Sequence, residues 1–97
     1  MLQASKIPKE QRDFMNPIVK ENFYLEKHPH VALNDLLKMV GIADTGGRAK
    51  LMVADGIISV NGEIELRKTA KILAGSIVTC EIDGQAFEIT VVEGNEA

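Results

Sequence analysis

The chain is 97 residues long, carries 11 Lys and Arg against 14 Asp and Glu, and has a formal net charge of -3. That length bounds it to one domain with a modest core, and an apolar fraction of 45% excludes wholesale disorder. Phe14, Phe23, Tyr24 and Phe87 are the only aromatic residues, which argues against a base-stacking platform built from several rings; Cys80 is the only cysteine, which excludes an internal disulfide.

Residues 1–22 show no clean period, and Pro8 and Pro17 interrupt any long helix. They are expected to form an N-terminal tail, with a short helix around Lys9–Met15, ahead of a domain over 23–97. Asn22–Leu25 reads as a short strand, and His28-Pro29-His30 as a helix-entry turn. Leu33, Leu36, Leu37 and Val40 then fall at i, i+3, i+4 and i+7, one apolar helical stripe, with Gly41 as its stop. Asp44 or Thr45 can cap a second helix whose inward stripe is Ala49, Met52 and Val53 and whose stop is Gly56. That helix is too short to stand alone and must pack on the first as an αα-hairpin. Ile57–Val60 is a β-branched run, Asn61-Gly62 a strong hairpin signal, and Glu63–Leu66 the return. Ile77–Ile82 and Ala86–Val92 form a second pair around Asp83-Gly84, and the chain is expected to fray from Gly94. Helices followed by strands imply an α+β fold, two packed helices against a small, mostly antiparallel sheet of about four to five strands.

Charge is unevenly spread. From residue 76 onward the chain has Glu81, Asp83, Glu88, Glu93 and Glu96 and no base, whereas the middle carries Arg48, Lys50, Arg67, Lys68 and Lys71. A local basic patch can bind an anion on a negative protein, because salt screens distant charges beyond about 10 Å. At the start of the second helix, Gly46 and Gly47 let an anion approach backbone N–H groups, Arg48 offers a planar fork of donors, and Lys50 adds a mobile charge. The bland alternative is a turn with solvated bases. Arg67-Lys68-Thr69-Ala70-Lys71 reads as an exposed basic loop between the hairpins.

Other chemistry finds little support. Gly41-Ile42-Ala43-Asp44-Thr45-Gly46-Gly47 has the glycine spacing of a P-loop, but Gly47 and Arg48 stand where Lys and Ser/Thr would contact phosphate and magnesium. Two histidines and a remote cysteine do not make a metal site. Cys80 alternates with Val78 and Ile82 on a strand, as a buried small hydrophobe would. No nucleophile–base pair, cofactor motif, small-molecule site, secretory segment or membrane span is evident, so a soluble cytoplasmic protein without catalysis is expected.

The order Leu33–Leu37 with Gly41, then Thr45–Val53, then Gly56-Ile57-Ile58-Ser59-Val60-Asn61-Gly62, then Lys71 with Gly75-Ser76-Ile77-Val78, resembles the S-four-type RNA-binding domain, also called the alpha-L RNA-binding motif. The resemblance covers about residues 23–92 and is strongest toward small stand-alone bacterial members. It implies a non-enzymatic module for structured RNA, with ribosomal RNA or the ribosome as a candidate partner. Thr45, Gly46, Gly47, Arg48, Lys50, Asn61, Arg67, Lys68 and Lys71 are then the expected contacts, gathered on one positive face. The chain departs from the family pattern at Ala32 and Gly46, where the family often has Arg, and at Ser76, where it has Asp. A different reading makes the chain a protein-interaction module that presents the acidic hairpin with Glu81, Asp83 and Glu88. A sulfur-carrier reading of Val60-Asn61-Gly62-Glu63 is set aside, because the chain ends Gly94-Asn95-Glu96-Ala97 rather than Gly-Gly.

Overall fold

The computed structural model describes residues 17–95; the short helix expected around Lys9–Met15 lies outside them. Nine elements follow in order: β1 (Val19–Tyr24), β2 (Val31–Ala32), α1 (Leu33–Met39), α2 (Gly46–Ala54), β3 (Ile58–Val60), β4 (Glu63–Ile64), β5 (Lys71–Ile72), β6 (Ile77–Ile82) and β7 (Gln85–Val92). Five strands form one sheet in the order β1-β7-β6-β3-β4, and β2 pairs with β5 in a separate two-stranded ladder. The sheet is antiparallel except for β1, which runs parallel to β7 and crosses to the rest through both helices. The α+β expectation, two helices on a mostly antiparallel sheet, describes this molecule.

Both helices form where the apolar stripes place them. Leu33, Leu36 and Leu37 of α1 are fully buried, as are Ala49 and Val53 of α2, with Met52 nearly so. Together with Ile58, Val78, Ile89 and Val91 from one sheet face they make a single core. Gly41 ends α1 with φ 85, its N–H donating to the Lys38 carbonyl, and Gly56 ends α2 with φ 77. At both hairpin turns the two central residues have positive φ: 52 and 88 at Asn61-Gly62, 53 and 82 at Asp83-Gly84. This is the type I′ geometry that Asn-Gly and Asp-Gly favour. Cys80 is buried and free, and burial pushes its thiol up to about 11.

Four local expectations change. The first strand starts at Val19, not Asn22, because six backbone positions align with β7. Leu25 leaves that strand yet stays tied, its N–H donating to Val92 O. The return strand stops at Ile64 rather than Leu66. The Glu65 carboxylate there accepts from the Arg67 backbone N–H at 2.9 Å, a local turn that competes with the ladder. The Arg67–Lys71 segment is not simply an exposed loop: Ala70 is buried and Lys71 pairs with Ala32 in the β2–β5 ladder. Finally, the chain does not fray at Gly94, which bridges Glu26 through a 2.8 Å bond.

Candidate nucleic-acid interface

One basic segment is bonded to the start of the first helix, and the link to the other is bonded near its end. The carbonyls of Ala70 and Lys68 accept from the N–H groups of Leu33 and Asn34, at 3.0 and 2.9 Å. These bonds satisfy the open first turn of α1, which has no side-chain cap. They also hold the backbone of the basic segment while the side chains of Lys68, Thr69 and Lys71 stay exposed. At the other end, the Ala43 N–H donates to Leu37 O, anchoring the link that leads into α2. Seven residues of α1, about 10 Å of helix, lie between the two anchors.

The start of α2 carries its own arrangement. Thr45 is the cap: its Oγ1 accepts from Arg48 N at 3.0 Å, and its carbonyl accepts from Ala49 N. Asp44, the other candidate, does not cap. Among the described residues, the N–H groups of Gly46 and Gly47 have no partner. Neither glycine has positive φ, and an added Cβ would meet nothing within 4 Å at Gly46 and only Thr45 Oγ1 at 4.0 Å at Gly47. Their local conformation does not demand glycine. Arg48 and Lys50 are exposed on the first turns, the positive end of the helix dipole.

The cations differ in how free they are. Arg67 is held by Glu65 in a two-point pair, Nε to Oε2 at 3.0 Å and Nη2 to Oε1 at 3.1 Å. The side-chain hydrogen bond from Arg67, seconded by its backbone N–H, lowers the Glu65 carboxyl to about 2. No other salt bridge occurs among the described residues. Among the described residues Arg48, Lys50, Lys68 and Lys71 thus have no salt-bridge partner, while much of Arg67's charge is answered locally.

Asn61 has a structural task. Its Oδ1 accepts from Ile77 N at 2.9 Å and its own N–H donates to Ile77 O at 2.8 Å, which clamps the β3–β4 turn to the start of β6. The acidic Asp83-Gly84 turn lies at the other end of β6, about 17 Å away along a six-residue strand. Among the described residues no cluster of three His, Cys, Asp or Glu side chains could hold a metal, and no helix is long and apolar enough to cross a membrane.

Comparison with known proteins sets this geometry in a family. The family model described as S4 domain matches residues 23–90. The chain belongs to the S4 domain family. YbcJ of Escherichia coli strain K12, which carries RNA binding in its provisional name, is 49% identical over 57 residues, covering 59% of this chain and 81% of YbcJ. YbcJ of Shigella flexneri matches to the same extent. The solution structure of the Escherichia coli protein, described as revealing an alpha-L motif involved in RNA binding, superposes with a TM-score of 0.53 at 42% identity, over 71% of this chain and 85% of that one. The two-helix unit and its sheet are thus a shared architecture.

Proposed function

We propose that this S4 domain chain is a non-enzymatic cytoplasmic protein that binds structured RNA through its phosphates. Arg48, Lys50, Lys68 and Lys71 supply the charge as one surface, and the free N–H groups of Gly46 and Gly47 supply directional contacts. Thr45 shapes the helix start, Asn61 braces the adjoining hairpin, and Arg67 contributes only when Glu65 releases it. Ribosomal RNA is the candidate partner. The observation that carries this reading is the pairing state: among the described residues Arg48 and Lys50 in α2, and Lys68 and Lys71 at and before β5, are exposed and form no salt bridge, in a chain with acidic excess. The names of the relatives support the same ligand class.

Salt titration of binding to a structured RNA tests it. Neutralising about three phosphates gives a slope of log affinity against log salt of roughly -2 to -3. Arg48→Glu combined with Lys71→Glu should abolish most of that slope. Affinity indifferent to salt, or unchanged in the double variant, refutes the reading.

A further inference from the structure

A groove of about 600 Å³ opens between the end of β1, the turn that follows it, and the outer face of α1. Phe23, Tyr24, His28, His30, Asp35 and Met39 line it. Four aromatics in the whole chain are too few for a stacking surface spread along a sheet, but a slot for one flat ring needs only one or two. Here two of the four converge with both of the chain's imidazoles. Met39 is 66% exposed at the rim, an uncovered and adaptable apolar wall. The size lies within the usual range of small-ligand sites.

Resting on the RNA-binding reading above, we infer that this groove accepts one unpaired nucleobase of the bound RNA. Two observations favour a base over a phosphate or an aliphatic group. First, Glu26 and Asp35 both line the groove. Carboxylates repel phosphate but accept hydrogen bonds from the amino groups on base edges. The base is therefore one with an exocyclic amino group, adenine, cytosine or guanine, in preference to uracil. Second, one wall of the groove is paired with a strand that carries a cation. Ala32 lines it and stands directly opposite Lys71 in the β2–β5 ladder. Opposed residues of an antiparallel pair share a face, their Cα atoms about 5 Å apart. Lys71 thus flanks the groove where the phosphate of the inserted nucleotide would lie, one sugar away from its base. Lys68 is tied to α1 by its carbonyl, which accepts from the Asn34 N–H. Unpaired bases splayed from a bulge or loop are the part of an RNA that a protein can stack and read.

The test uses the full chain and two RNA hairpins that differ by a single bulged 2-aminopurine. Stacking a base is expected to favour the bulged hairpin by about tenfold, with a change in 2-aminopurine fluorescence on binding. Tyr24→Ala combined with Asp35→Ala, which removes one ring and one carboxylate of the groove, should remove the preference and the fluorescence change while leaving affinity for the fully paired hairpin as in wild type; circular dichroism checks the fold. A bulged uridine should gain less than a bulged adenosine. Equal binding of paired and bulged hairpins, or a bulge preference that survives the double variant, overturns the groove assignment while leaving phosphate binding intact. Failure of both hairpins to bind at low salt overturns the RNA-binding reading, and the groove assignment with it. A lysine-rich peptide that shifts NMR signals of the groove residues, when bulged RNA does not, assigns the groove to a protein partner and also overturns the proposal.

Discussion

Gly46 and Gly47 occupy the first two positions of α2, where glycine is a poor helix former and neither backbone conformation nor neighbouring atoms require it. Replacing glycine with alanine in a compatible conformation stabilises by reducing the freedom of the unfolded chain and by improving helix propensity, about 0.5–1 kcal/mol per site. Gly46→Ala has open space around the new methyl; at Gly47→Ala the methyl meets Thr45 Oγ1 at ordinary contact distance, 4.0 Å. The double variant should therefore gain about 1–2 kcal/mol. For a domain of this size each kcal/mol raises the melting temperature by about 4–8 °C, and urea unfolding gives the same quantity from the midpoint shift at constant slope.

The same substitutions should weaken RNA binding. A phosphate oxygen must come within about 3 Å of a backbone nitrogen to bond it, and a methyl at either position crowds that approach. Losing one charge-assisted bond corresponds to about tenfold in affinity. The diagnostic result is thus opposite signs in two assays: a more stable protein that binds less well. A stability loss would show that the glycines serve the fold. A stability gain with unchanged affinity would remove the helix start from the RNA surface and leave the side-chain cations to account for binding.

Asn61→Ala should cost about 2 kcal/mol, combining a left-handed backbone penalty with loss of the Oδ1 bond to Ile77 N; Asn61→Gly, which restores the backbone freedom, should recover about half, measured by urea unfolding. Glu65→Gln frees Arg67 and should steepen the salt slope of RNA binding by about 0.7–0.9, with little change in stability near neutral pH because the arginine of the pair is exposed to solvent. Because the folded Glu65 carboxyl is lowered from 4.5 to about 2, its stabilising contribution is complete above pH 4.5 and is lost as pH falls toward 2; the acid limb of a stability–pH profile should be shallower in Glu65→Gln. Asn34 Oδ1 is buried and has no partner among the described residues, so Asn34→Leu should be neutral or up to about 1 kcal/mol stabilising by thermal melting.

Local periodicity made the helices legible. Leu33, Leu36 and Leu37 sit on one face by spacing alone, and the positions of Gly41, Gly56, Asn61 and Gly62 follow from conformations that few residues adopt. Non-local pairing was not legible. Nothing in Val19–Tyr24 announces a parallel partner sixty-eight positions away, as in Val19 opposite Phe87. Nor does the composition of Arg67–Lys71 announce that its carbonyls close the first turn of α1; the segment looked free because its side chains are polar, while its attachment runs through the backbone. The basic residues were visible by type, and the pairing of Arg67 was not, since it depends on a turn formed by Glu65 itself.

A net negative chain attracts a polyanion best where its acidic turns stand away from the bases, and β6 separates one such turn, Asp83-Gly84, from the Asn61 hairpin. Lys71 belongs to the segment that leads into β6, and the Asn61 turn is clamped to the start of that strand. Asp83 lies past its other end, with Glu81 just before it. The intervening 17 Å or so is about twice the screening length at physiological ionic strength, about 8 Å. At that separation the acidic turn subtracts little from the field at the Asn61 end of β6 in physiological salt, yet it contributes when salt is low and screening extends further. Lowering ionic strength therefore strengthens attraction to the cations and repulsion from the turn together. Neutralising Glu81 and Asp83 should raise RNA affinity measurably at low salt and hardly at all at physiological salt. An equal gain at both would mean that the acidic turn touches the RNA directly, and that the two ends of β6 do not divide the surface in this way.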